Sequence, residues 1–249
     1  MRRGGDQRSS GGCGVRVAYL IEPPFNYVDS AGAVTGCDVE LARYVLGELG
    51  INDVEFVETE FAQLLPGLAR NDWQMTTGLF ASPDRRLRAL FSRPIWALPD
   101  GLLVRAADAD SIAGYRSLAI AGHLKLAVIR DQIQHVTALE LGVTPDQFRV
   151  FETYADAAQA VQDRIVSAFA SVARAHQGFL QTSTAHGLSV VNVPLRERAP
   201  AFGCFAFAPS ANDLRNRVDH VLNTFIGAAE HRQLIKAFGF ADADVDRVL

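Results

Sequence analysis

The feature that most constrains this chain is the run Val15-Arg16-Val17-Ala18-Tyr19-Leu20-Ile21, broken at once by Glu22-Pro23-Pro24-Phe25. The run has the length and apolar content of a buried strand, and paired prolines cannot continue a hydrogen-bonded ladder. They make a stiff loop at the strand's C-terminal end. Apolar residues then recur at helical spacing at Val39, Leu41, Ala42, Val45, Leu46 and Leu49, with Asp38 read as the cap of that helix. Val54-Glu55-Phe56-Val57 reads as a second strand, Phe61, Leu64, Leu65 and Leu68 as a helix face, and Met75-Thr76-Thr77 as a strand end. Such alternation predicts an α/β fold of mixed or parallel sheets flanked by helices. In open α/β sheets ligands bind beyond the carboxyl ends of the strands. Glu22 and Phe25, held in the stiff loop, are therefore candidate ligand contacts.

Leu102-Leu103-Val104-Arg105 reads as a crossing strand into a second α/β unit. There the expected strands are Leu126 to Ile129, Arg149 to Phe151, Ser167 to Ala170 and Ser189 to Val193. The expected helices run from about Gln134 to Leu141 and from Tyr154 to Gln162. The chain returns through Phe202 to Phe207 and ends in two long amphipathic helices starting near Ser210 and Ala228. Two crossings make a hinge. The expected domains are therefore one lobe from residues 15–103 and 201–249 and another from 104–200, closing on a ligand. Residues 1–14, rich in Gly, Ser and Arg, read as a disordered tail.

The densest chemistry lies in Thr77-Gly78-Leu79-Phe80-Ala81-Ser82-Pro83-Asp84-Arg85, followed by Phe91-Ser92-Arg93-Pro94. Gly78 lets a ligand approach the main chain. Phe80 offers a face to an apolar or cationic body. Arg85 offers a planar fork that matches a carboxylate. Ser82-Pro83-Asp84 reads as a helix start, with Ser82 as N-cap and Pro83 at the first helical position. The competing reading is an ordinary loop-to-helix junction with a solvated Arg.

These phrases, with Gly36-Cys37-Asp38-Val39-Glu40-Leu41-Ala42 between them, resemble in order and spacing the solute-binding proteins of ABC importers, in the family that takes polar amino acids. The resemblance runs from Val15 to Gly239 and implies a two-lobe type II periplasmic-binding fold, a small-molecule ligand gripped through its carboxylate by Arg85, and delivery to a membrane permease. It also implies a monomeric, non-catalytic receptor in the periplasm or otherwise outside the cytoplasm. Within the family, Glu22-Pro23-Pro24-Phe25, Pro66-Gly67-Leu68 and Gly78 to Arg85 are similar to ectoine-binding proteins. That likeness assigns Phe25, Phe61 and Phe80 to an aromatic cage around a delocalised cation and Glu22 to its counter-charge. Phe61 begins a helix and could equally pack as core.

The second unit departs from the family. Its usual Gly-Thr-Thr phrase falls on Leu126 to Gln134, where none of those residues appears, and its ammonium-binding Asp has no equivalent near Ser167 to Val172. Arg130, Asp131, Gln132 and Ser171 are the candidates left there, against the alternative of solvated loop positions.

Hydrophobic residues make up 49% of the chain, enough for a sizeable core. A net charge of −4, with no basic run interleaved with aromatics, argues against a nucleic-acid partner. No apolar run approaches the roughly 20 residues of a membrane span. Neither the three cysteines nor the six histidines show metal-ligand spacing, and no phosphate loop or nucleophile elbow appears, so no cofactor is expected. Cys37 and Cys204 read as buried free thiols, and His220 and His231 as surface groups. Cys13 resembles a lipoprotein modification site, although the apolar segment that should precede it is missing; the expectation is that the export signal was removed or misassigned, or that the protein is not exported. The alternative function is an enzyme on the same fold, a dehydratase of cyclic carboxylic acids with Glu22 as acid or base.

Overall fold

The computed structural model describes residues 14–249. The expected tail and Cys13 fall outside the described residues. The first part of the chain forms β1 (Val15–Tyr19), β2 (Tyr27–Val28), β3 (Val34–Thr35), α1 (Cys37–Glu48), β4 (Val54–Glu58), α2 (Leu64–Arg70), β5 (Met75–Phe80), α3 (Pro83–Arg86) and β6 (Leu90–Leu98). The second comprises β7 (Asp100–Arg105), α4 (Tyr115–Ala121), β8 (Leu126–Ile129), α5 (Ile133–Glu140), β9 (Phe148–Phe151), α6 (Tyr154–Gln162), β10 (Ala168–Val172), α7 (Ala173–Thr182) and β11 (Leu188–Asn192). The chain closes with β12 (Ala201–Phe207), α8 (Asn212–Phe225), α9 (Ala229–Ala237) and α10 (Asp242–Asp246).

Two five-stranded sheets result, ordered β4-β1-β5-β12-β6 and β11-β7-β10-β8-β9. Both are mixed. In the first, β1 runs parallel to β4 and β5 while β12 is antiparallel to β5 and β6. In the second, β8 is parallel to β9 and β10 while β7 is antiparallel to β10 and β11. The chain passes from one sheet to the other at Pro99 and returns between Asn192 and Ala201. Helices cover both sheets, as strands with apolar residues on both faces require. On α1 the buried residues include Val39, Leu41, Ala42, Val45 and Leu46, most of the stripe read from the sequence. Tyr44 of α1 stacks on Phe225 of α8, with ring centroids 3.7 Å apart.

Two local expectations need correction. Asp38 does not cap α1: the N-cap is Gly36, at φ 126°, where a Cβ would meet the backbone of Phe25 and Asn26. Freed from capping, the Asp38 carboxylate turns into the interior. His231 is fully buried rather than on the surface. It shares a face of α9 with Ile235, its Nδ1 accepts the Gly227 N–H at 3.2 Å, and its ring meets the Phe225 ring at 5.4 Å. Burial lowers its pKa to about 4, so it packs as a neutral ring. His220 is exposed on α8, as expected. Cys37 and Cys204 are buried free thiols, as expected.

Candidate ligand-binding site

A cleft runs between the two sheets at the carboxyl ends of β1 and β5. It holds about 520 Å³ of empty space including its mouth. Of the eleven candidates read from the sequence, nine line it: Glu22, Phe25, Phe61, Thr77, Gly78, Phe80, Arg85, Gln132 and Ser171.

Arg85 is placed by the predicted helix start. Pro83 is the first residue of α3, and the Ser82 side chain accepts the Arg85 N–H at 3.4 Å. The side chain is 8% exposed, and burial lowers its pKa only to about 10, so it remains a cation at neutral pH. Its Nη1 donates to the Phe80 carbonyl at 3.0 Å, and its Nη2 donates to the Asp131 carbonyl at 2.7 Å. The Nε–H and the second hydrogens of Nη1 and Nη2 remain for a ligand. Phe61 lies under the guanidinium, its ring centre 5.1 Å from Cζ. Its π-face thus supports Arg85 itself.

Asp131 does not line the cleft; it contributes its carbonyl from the far side and holds φ 63° to do so. That left-handed conformation favours glycine, with Asp among the few tolerated alternatives. Arg130 points away into an exposed pair with Glu152 at 2.6 Å. Ser171, on the second sheet, donates from its hydroxyl to Glu22 Oε1 at 3.3 Å. Burial raises the Glu22 pKa to about 7; the Ser171 hydrogen bond offsets part of that and the Asp38 charge adds to it.

The role of Gly78 also changes. Its N–H donates to Asp38 Oδ2 at 2.9 Å, and a Cβ there would lie 2.5 Å from that oxygen and 2.7 Å from the Trp96 ring. Gly78 thus makes room for the Asp38 carboxylate and the Trp96 ring in the cleft wall. Asp38 Oδ1 accepts the Trp96 indole N–H at 2.9 Å. The carboxylate has two neutral donors and no cation, and burial raises its pKa to about 7 against the pull of those bonds. Trp96 in turn backs the cage: Phe80 meets it edge-on at 5.6 Å and Phe25 at 5.3 Å. Phe25 is only 3% exposed and also packs on Phe240, so it is largely core. Thr77 is buried beside them.

Sequence reading missed Asp38, Trp96, Asn26 and Gln134 as cleft residues. Asp38 and Gln134 lie in stretches singled out there, and Asp38 was assigned to the wrong task. The others reach the cleft through register and strand crossing. Gln134 is held by Asp100, whose carboxylate accepts from its amide at 3.1 Å and from the Tyr115 hydroxyl at 2.9 Å. Among the described residues, no group of three or more His, Cys, Asp or Glu could hold a metal ion, and no helix is long and apolar enough to cross a membrane.

Known proteins resemble this chain over most of its length. The profile of the bacterial extracellular solute-binding proteins, family 3, matches residues 15–240. A probable amino-acid ABC transporter periplasmic-binding protein of Sinorhizobium fredii is 28% identical over 235 residues, covering 91% of this chain and 77% of that protein. Among solved structures, EhuB in complex with hydroxyectoine superposes with a TM-score of 0.83 at 23% identity, covering 94% of this chain and 91% of EhuB. The ancestral amino acid-binding protein AncCDT-1, a precursor of cyclohexadienyl dehydratase, superposes with a TM-score of 0.77 at 25% identity, covering 90% of this chain and 94% of that one. The two sheets flanked by helices are those of type II periplasmic-binding proteins. On the match over nearly its whole length, the chain belongs to the bacterial extracellular solute-binding proteins of family 3.

Proposed function

We propose that this protein captures a small carboxylate-bearing zwitterion or cation, an ectoine-like solute or amino-acid derivative, and presents it to an ABC permease outside the cytoplasm. The observation that carries this reading is the buried Arg85, with unspent N–H groups, facing Glu22 across an aromatic-walled cleft. Arg85 suits a carboxylate, Glu22 a positive end, and Phe80 the body between. The hydroxyectoine-bound EhuB structure shares the fold, which adds support for the ligand class. The proposed lobes are built on the two sheets. Because β7 lies wholly in the second sheet, they change over at Pro99 rather than after residue 103. Contacts from both sheets, Ser171 to Glu22 and Asp131 to Arg85, are those of a closed cleft. A monomer suffices for this task.

A thermal-shift screen of ectoine, hydroxyectoine, betaines, amino acids, opines and cyclic carboxylic acids tests the proposal. A ligand at 100-fold its Kd adds about 2.7 kcal/mol of stability. A shift with zwitterions that disappears in Arg85→Ala is expected. No shift with any carboxylate overturns it.

One observation favours a second reading. A buried carboxyl, its pKa raised by burial to about 7, in the cleft that Arg85 also lines suits general acid–base chemistry, and the precursor of a dehydratase shares the fold. Incubation with cyclic carboxylic acids, followed by product analysis, decides for the enzyme if turnover appears and stops in Glu22→Gln.

A further inference from the structure

The cleft carries more hydrogen-bond acceptors than the protein satisfies. Glu22 and Asn26 close the Pro23-Pro24-Phe25 loop on itself: the Glu22 N–H donates to the Asn26 carbonyl at 2.9 Å, and the Asn26 N–H donates back at 3.2 Å. Residues paired this way carry their side chains on one face, and both line the cleft. Asn26 is 4% exposed, and its side-chain oxygen has no hydrogen-bond partner. From the opposite side, Gln132 is 7% exposed, and its side-chain oxygen also has none. Buried amide oxygens are rarely left so. Two of the cleft's donors are spent elsewhere: the Trp96 indole N–H and the Gly78 N–H both serve Asp38. The mouth beside this wall adds Glu58, Glu60 and Glu152, of which Glu152 is paired with Arg130.

We propose that Asn26 and Gln132 determine specificity by accepting N–H bonds from the cationic end of the ligand, so that the ligand is a compact zwitterion whose nitrogen keeps its hydrogens, and not a quaternary ammonium. This rests on the receptor reading above. Glu22 supplies the charge, and the two neutral amides supply directional acceptors. A fully alkylated nitrogen would satisfy the charge and the aromatic faces equally well. It would also seal both amide oxygens away from water with nothing to bind, and the loss of those bonds sets the preference. With the family's ammonium-binding Asp absent, these amides take over its share of the recognition.

Isothermal titration with proline, its N,N-dimethyl betaine and ectoine tests this. The first two share ring, carboxylate and charge and differ in N–H. The expected result is that the tightest N–H-bearing ligand binds at least tenfold more tightly than the betaine. Gln132→Met, close in shape but without the acceptor, should shrink that ratio to below threefold. It should leave the melting temperature of the unliganded protein unchanged or higher, because an unpartnered polar atom is removed. Asn26→Leu should narrow the ratio in the same way. The betaine binding as tightly as the N–H ligands overturns the inference and leaves the receptor reading intact. A ratio that neither variant alters also overturns it. If none of these zwitterions binds the wild type, this inference and its zwitterion ligand class fall together.

Discussion

Arg85 and Asp131 are joined across the cleft: the Arg85 Nη2 donates to the Asp131 carbonyl at 2.7 Å. The contact ties α3, which connects β5 to β6 of the first sheet, to the turn after β8 in the second. The group proposed to grip the ligand is thus also a strut of the closed form. Arg85→Ala should weaken zwitterion binding by at least about 2 kcal/mol, because a buried carboxylate loses its partner. Arg85→Lys should recover little, since one ammonium cannot serve two carbonyls and a carboxylate in a fixed plane. Titration calorimetry checks both, and an unchanged affinity in Arg85→Ala removes Arg85 from the site.

Asp131 itself is replaceable by residues that accept its backbone. At φ 63°, Asp131→Gly should leave stability within about 1 kcal/mol, whereas Asp131→Val should cost about 1–3 kcal/mol of strain. Urea denaturation separates the two; equal stabilities would show that the turn relaxes freely.

The Gly78–Asp38–Trp96 arrangement in the cleft wall predicts a packing effect that is measurable without a ligand. Gly78→Ala forces a methyl against the Asp38 carboxylate and the Trp96 ring and should destabilise the protein by about 1–3 kcal/mol. Trp96→Phe keeps a ring but strips Asp38 Oδ1 of its donor, at a similar cost. Denaturant midpoints without ligand test both, and a loss of binding with no loss of stability would point to a direct ligand contact instead.

Glu22 and Asp38 give a signed pH dependence. Their pKa values rise from 4.5 and 3.8 to about 7 on folding, chiefly through burial. The folded protein therefore holds their protons more tightly than the unfolded chain. Their contribution to stability is fully present below about pH 4 and is lost as pH rises to about 7. Binding of a cationic ligand runs the other way, because Glu22 must be ionised, so affinity should rise as pH climbs from 5 to 8. Glu22→Gln should flatten that profile. Titrations at several pH values check it, and a profile unchanged by Glu22→Gln would remove Glu22 as the counter-charge.

Phe80 predicts a charge-selective loss. Phe80→Ala should weaken a cationic zwitterion by about 0.5–2 kcal/mol more than a neutral isostere. Equal losses for both would reduce Phe80 to a wall.

The sequence by itself determined the alternation of strands and helices, the loop at Glu22 to Phe25 and the helix start at Ser82-Pro83. Each is a local property: periodicity, proline's fixed torsion and a capping side chain act within a few residues. It also brought out Arg85, because its phrase is contiguous. The tertiary structure alone decided what those side chains meet. The Asp38 carboxylate leaves the helix end for the Gly78 N–H and the Trp96 indole, groups 40 and 58 residues away in the chain. Phe61 supports Arg85, and Asp131 lends a carbonyl rather than a carboxylate. His231 is buried because α9 packs its inner face on Phe225. Asn26 and Gln132 face one cavity because two sheets, joined at Pro99 and again after Asn192, close on each other. Contacts between distant segments depend on register, crossing and burial, and no local pattern encodes them.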